Sequence, residues 1–131
     1  MEFMFDLAGR RRDDRIPADL LASSRAAALA LAAKGPRKLV HGDLHPGNVL
    51  AGAGRAVAID PRPCIGDPAF DAVDWVLHPR HTQLSVFDAD RVRAWCEALA
   101  VLVAMSRLRT HKPDNYIESL LELAREVPPI R

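Results

Sequence analysis

The sequence predicts a mainly helical α+β domain in which one small β-hairpin is set among roughly four helices. Three observations carry this. The run ADLLASSRAAALALAAK over residues 18–34 is built almost wholly of strong helix formers. Two short apolar runs, 48–51 and 56–59, flank the turn Gly52-Ala53-Gly54. Beyond residue 88, apolar side chains recur at the three-to-four spacing of a helix.

Taken in order, residues 1–15 read as a poorly defined lead-in that ends in the Arg10–Arg15 cluster, a solvated stretch balanced by Asp13 and Asp14. Pro17 suits the first position of the helix that follows. Gly35 and Pro36 should stop that helix, Gly35 as a left-handed cap and Pro36 as a residue that cannot continue it. Lys38-Leu39-Val40 is a short β signal, and the polar stretch from His41 to Asn48 separates it from the hairpin. The segment from Asp60 to Gly66, with its two prolines and one cysteine, reads as a loop. Asp67-Pro68 is a helix cap followed by a first-turn proline, and Phe70, Val73, Trp75, Val76 and Leu77 give that helix an apolar face up to Pro79. A helix beginning near Asp88 or Asp90 carries Val92, Trp95, Leu99, Leu102 and Val103 on its apolar side. Another, after Pro113, carries Ile117, Leu120, Leu121 and Ala124 and ends at Pro128-Pro129.

Composition narrows the function classes. The chain has 131 residues, enough for one domain with a real core, and 49% of them are hydrophobic. Eighteen Lys and Arg against seventeen Asp and Glu leave a formal charge of +1, so the chain lacks the basic field of a nucleic-acid binder. The apolar windows 26–33 and 98–105 fall far short of a membrane span, and the first residues have their charges after the apolar run, the reverse of a secretory signal. Cys64 and Cys96 are too few for a disulfide framework. These features point to a reduced, cytoplasmic setting.

The chemistry lies in the segment from Leu39 to Asp74, LVHGDLHPGNVLAGAGRAVAIDPRPCIGDPAFDAVD. Asp43 follows His41-Gly42, Asn48 stands five positions later, and Asp60 closes the second strand of the hairpin. This is the order that phosphoryl transfer needs from the metal-binding half of a kinase. One carboxylate orients an acceptor hydroxyl and takes its proton, while a second carboxylate and a carboxamide hold the Mg²⁺ ions that bridge nucleotide phosphates. Mg²⁺ is hard and takes oxygen ligands, which Asp and Asn supply. Pro46-Gly47 lets the chain turn between Asp43 and Asn48 so that both can face one phosphate.

At these residues the chain resembles the C-terminal lobe of the aminoglycoside phosphotransferases, a family with a protein-kinase-like fold. HGDLHPGN is similar to their catalytic loop, AIDP to their form of the kinase Asp-Phe-Gly motif, and GDPAFDAVDW to the segment after it. IDPRPCIGDPAFDA is most similar to the streptomycin and hydroxyurea phosphotransferase branch. The likeness is dense over residues 38–79 and general elsewhere. It implies ATP and Mg²⁺ as cofactors and a small-molecule hydroxyl, on an aminoglycoside-type antibiotic or hydroxyurea, as acceptor. By position, Asp43 is the catalytic base, Asn48 and Asp60 are cofactor and Mg²⁺ ligands, and His41 supports the catalytic loop. Asp67 takes the place of the family's structural carboxylate, which accepts hydrogen bonds from the loop backbone. Asp71 and Asp74 are assigned to helix surface or loop bracing. Asp88, Asp90, Glu97 and Glu118 are available to a cationic acceptor.

A complete member of such a family also has a lobe with a nucleotide-covering loop, a strand lysine and a helix glutamate. Only 42 residues precede Asp43, none of them forms G-x-G-x-x-G, and neither Lys34 nor Lys38 lies in an apolar strand. The expectation is therefore a single kinase-like C-terminal lobe over residues 1–131, with a catalytic core at 38–79, C-terminal helices at 88–127 and the nucleotide lobe absent. Such a chain would be a truncated form with reduced or no activity alone. An N-lobe partner chain or a homo-oligomer would have to complete it.

Other readings compete at several positions. A non-catalytic kinase-like module, or half of a split enzyme, is the main alternative. A metallophosphoesterase is a lesser one, because Gly42-Asp43-Leu44-His45 is similar to a G-D-x-H metal signature whose other motifs do not appear. His45 reads as a loop residue in preference to a metal ligand with His41, and His78 and His81 as surface groups. Cys64 reads as idle and not as a reactive thiol, and Trp75 and Trp95 as core in preference to a stacking pair.

Overall fold

The computed structural model describes residues 1–11, 13–52, 54–77, 87–110 and 115–128. His78, His81, Pro79, Pro113 and Pro129, which figured in the sequence reading, lie outside the described residues. The chain divides into two compact units: residues 1–33 with 93–131, and residues 34–92.

The first unit is helical. Helix α1, Glu2–Arg10, replaces the expected lead-in. It buries Phe5 and leaves Phe3 exposed, so one side of a single turn is anchored. Arg25 of helix α2, Ala18–Lys34, reaches Asp6 at 3.2 Å and Glu2 at 3.5 Å. Between the two helices, Arg15 clips Asp13 through Nε at 2.8 Å and Nη2 at 2.6 Å. That guanidinium holds the Asp13 carboxyl down at about 2. Helix α2 has the predicted extent, and its first backbone bond runs from Leu21 N–H to the Pro17 carbonyl. It ends at Lys34, just before Gly35-Pro36, where the sequence places its stop.

Helix α4, Ala89–Thr110, starts where Asp88 accepts the N–H of Arg91 on its side chain and that of Val92 on its carbonyl. Its buried side is wider than the predicted stripe. Trp95 and Leu99 are buried as expected, but Ala98, Val101, Ala104 and Met105 are buried where Leu102 and Val103 are only half-buried. Small residues let a helix face approach its surroundings closely, which a reading weighted by large side chains underrates. Helix α5, Asn115–Arg125, buries Ile117, Leu120 and Ala124 at the predicted spacing.

The second unit carries two separate two-stranded antiparallel sheets. Strands β2, Val49–Gly52, and β3, Arg55–Ala58, form the predicted hairpin with Leu50 opposite Val57. Strand β1, Lys38–Val40, pairs with β4, Cys64–Gly66, in a segment the sequence presented as loop. The pairing sets Val40 opposite Cys64 and Lys38 opposite Gly66, which lays the residues after Asp60 alongside the residues before Asp43. The segment after Asp67 is a 3₁₀ helix over Pro68–Ala72, followed by the single turn α3, Val73–Val76, and not one regular helix. Ala69, Ala72, Val73 and Leu77 are buried there with Val40 of β1. Trp75 is half-buried, and Trp95 is fully buried in the other unit. Among the described residues, no helix is long and apolar enough to cross a membrane.

Candidate phosphoryl-transfer site

The loop from His41 to Asn48 is held at both ends and at its middle. At its start, Gly42 adopts φ +79, and a Cβ built there would lie 2.2 Å from the Arg62 carbonyl oxygen. Only glycine fits, because the left-handed backbone and the close approach both exclude a side chain. The N–H groups of His41 and Gly42 donate to the two carboxylate oxygens of Asp71, at 2.7 and 2.9 Å. At its end, Pro46–Asn48 forms a short 3₁₀ turn whose cap is the His45 ring, with Nδ1 accepting from Gly47 N–H at 3.1 Å. Across its middle, the Asn48 side-chain amide donates to the Asp43 carbonyl at 2.9 Å. Asn48 is 8% exposed, so this bond is sheltered and fixes which end of the carboxamide points away from the loop.

Asp60 is tied to the same loop through its neighbour. Ile59 N–H donates to the Asn48 carbonyl at 2.9 Å, and the Ile59 carbonyl accepts from His41 Nε2 at 3.0 Å. Since a carbonyl only accepts, His41 carries its proton on Nε2, and its buried Nδ1 has no hydrogen-bond partner. Asp60 itself is exposed and sits at φ 52, in the left-handed region. Aspartate tolerates that conformation better than most residues, though at a cost. Two residues on, Arg62 N–H donates to the His41 carbonyl at 2.8 Å, and Arg62 Nε lies 3.4 Å from the Asp43 carboxylate.

The role expected of Asp67 belongs to Asp71. Asp71 is the carboxylate that accepts the loop's backbone N–H groups in a bidentate clasp. Asp67 caps the 3₁₀ helix through Ala69 N–H at 3.1 Å and pairs with Arg91, whose Nε lies 2.8 Å away. The reason is geometric: one turn of 3₁₀ helix separates the two aspartates and turns the second, not the first, towards β1. No local signal in D-P-A-F-D separates the two, since both carboxylates are buried and each must be paired.

Elsewhere, Asp88 serves as the α4 cap and Glu97 pairs with Arg93 at 2.8 Å, so two of the four acidic candidates for a cationic acceptor already have structural partners. Arg93 also reaches Glu126, and these two carboxylates raise its pKa. Cys64 is exposed on β4. Among the described residues, no group of three or more His, Cys, Asp or Glu side chains is arranged to hold a metal ion.

These features belong to a family defined by small-molecule phosphorylation. The chain is a member of the aminoglycoside/hydroxyurea antibiotic resistance kinase family, whose model matches residues 2–117, well beyond the motif-dense segment. Within that family, it is 36% identical over 100 residues to a hydroxyurea phosphotransferase of Kitasatospora aureofaciens. That alignment covers 67% of this chain and 27% of the relative, so the chain spans about a quarter of the relative's length. No solved structure matches the chain.

Proposed function

We propose that this chain provides the catalytic and Mg²⁺-binding segment of an ATP-dependent phosphotransferase with an alcohol-type acceptor, in a kinase-like C-terminal lobe. The observation that carries this reading is the lacing of the loop to the hairpin. The Asn48 side chain is bonded to the Asp43 carbonyl, and the Ile59 backbone to Asn48 and to the His41 ring, so Asp43, Asn48 and the residue before Asp60 belong to one hydrogen-bond network. In this reading Asp43 accepts the proton of the acceptor hydroxyl, from a loop whose backbone His41 and Asp71 hold still. A strained backbone at Asp60 accords with a site residue, since such conformations persist where the surroundings dictate them.

The donor set fits Mg²⁺. The amide nitrogen of Asn48 is used within the loop, which leaves its Oδ1 as the ligand atom, and Asp60 offers an exposed carboxylate. A bound Mg²⁺ would neutralise the developing charge on the nucleotide phosphates. With two protein oxygens, the remaining ligands would be water and phosphate, as is usual for this ion. Hydroxyurea and an aminoglycoside-type antibiotic are the acceptor classes consistent with the family and with the relative.

The test is a thermal-shift titration of the chain with Mg·ATP, run beside Asp60→Asn. Asparagine tolerates positive φ, so the variant removes the charge while sparing the backbone. A single site that binds only the folded state adds about 2.7 kcal/mol of stability at ligand a hundredfold above its dissociation constant. A Mg²⁺-dependent rise that Asp60→Asn abolishes supports the reading. A cooperative melt that ignores Mg·ATP refutes nucleotide binding by this chain.

A second reading, a non-catalytic module or half of a split enzyme, draws support from apolar exposure. The cross-strand pairs Leu39–Ile65 and Leu50–Val57 each set two exposed apolar side chains opposite one another.

A further inference from the structure

We infer that Arg62 is an anion-binding residue of this site, whose guanidinium, held against Asp43, exchanges that carboxylate for phosphate oxygens of an entering ligand. The inference deepens the phosphotransferase reading and rests on it.

Arg62 stands on an immobile base. Its N–H is bonded to the His41 carbonyl, and its own carbonyl packs against Gly42 so closely that no Cβ could intervene. Pro61 and Pro63 flank it, and each restricts the backbone around Arg62. The side chain therefore springs from a fixed point beside the catalytic loop.

The side chain itself is loosely committed. It is 79% exposed and meets Asp43 through Nε alone, at 3.4 Å. An exposed, monodentate pair at this distance contributes little to stability, so giving it up costs little. The terminal nitrogens of the guanidinium remain for a ligand, and their planar fork matches two oxygens of a phosphate.

Charge supplies the reason for a cation here. The loop and hairpin present the carboxylates of Asp43 and Asp60, and a polyphosphate approaching them meets like charge. A guanidinium rooted two residues after Asp60 and paired with Asp43 offsets that repulsion. By releasing Asp43 as it grips phosphate, Arg62 would also leave that carboxylate for the acceptor hydroxyl.

The experiment is a binding study by calorimetry, with inorganic tripolyphosphate as the probe, on the full chain and on Arg62→Ala, Arg62→Lys and Asp43→Asn. The Arg62 side-chain Nε–H resonance is followed by NMR, and the Mg·ATP titration with Asp60→Asn is run in parallel. Arg62→Ala should weaken tripolyphosphate binding about tenfold, and Arg62→Lys, which keeps the charge but not the fork, by less. Asp43→Asn should tighten it, and the gain should vanish in Asp43→Asn/Arg62→Ala, because the competition acts through the guanidinium. Tripolyphosphate bound equally by Arg62→Ala, or an unmoved Nε–H signal, overturns the inference. If Mg·ATP binds through Asp60 while Arg62→Ala changes nothing, the anion role alone fails. If tripolyphosphate binds through Arg62 without any Mg²⁺-dependent response to ATP, the phosphotransferase reading fails and the anion site stands. A folded chain that binds neither ligand overturns both.

Discussion

Replacing Asp71 by asparagine should loosen the loop from His41 to Asn48 more than any comparable change of surface charge. In the native chain its carboxylate accepts two backbone N–H groups, from His41 at 2.7 Å and Gly42 at 2.9 Å. Asparagine has the same size but only one acceptor oxygen, and its amide would face one N–H donor with another. The variant thus loses the charge on one bond and most of the other. A hydrogen bond to a charged acceptor contributes about 1.5–3 kcal/mol, and a buried donor left unpaired costs about 1–3 kcal/mol. Since Asp71 is buried, a loss of about 2–4 kcal/mol is the expected sum. Urea unfolding followed by tryptophan fluorescence would report it. With a slope of about 2 kcal/mol per molar for a chain of this size, the midpoint should fall by about 1–2 M at unchanged slope. Asp14→Asn, on the exposed lead to α2, is the control and should stay within about 0.5 kcal/mol of the parent. An Asp71→Asn midpoint indistinguishable from that control would refute the assignment of Asp71 as the clasp of the loop.

Two further substitutions probe the same frame. Gly42→Ala places a Cβ 2.2 Å from the Arg62 carbonyl at a left-handed position, so it should destabilise by more than about 2 kcal/mol and shift the amide resonances of both the loop and Asp60–Arg62; Gly52→Ala, which meets nothing within 4 Å, should not. Arg91→Met takes the guanidinium from the buried Asp67 carboxylate, which keeps its cap bond to Ala69, and should cost about 3 kcal/mol by urea unfolding, of which Asp67→Asn/Arg91→Met recovers part; an additive double variant would show that the pair is not coupled.

The legibility of this chain was uneven for physical reasons. Helix α2 was readable to the residue because its signal is local: a run of seventeen residues, fourteen of them strong helix formers, follows a proline and precedes Gly35-Pro36. The β2–β3 hairpin was readable because turn chemistry and short apolar runs lie side by side in sequence. Strand β4 was not, since Cys64-Ile65-Gly66 has no strand signal of its own and gains one only by pairing with β1, more than twenty residues earlier. Helix α1 was missed because its charged end masked the anchoring contact at Phe5.

The site divides along the same line. The residue types and spacings of Asp43, Asn48 and Asp60 pointed to phosphoryl-transfer chemistry, since those side chains and their order along the chain are covalent facts. Membership of the kinase family bears out the resemblance that those motifs carried. What braces the loop was decided in three dimensions. Asp67 and Asp71 are the same residue type four positions apart, and nothing local separates their roles. The 3₁₀ turn between them aims Asp71 at the N–H groups of His41 and Gly42, 30 and 29 residues away along the chain, while Asp67 caps that turn and pairs with Arg91. Likewise, only the β1–β4 pairing brings Arg62 against Asp43. Sequence by itself determined which functional groups the proposed chemistry can draw on, because their identity is covalent. Tertiary structure decided which groups hold them in place, because a hydrogen bond between distant residues exists only once the backbone has been folded to within its short reach.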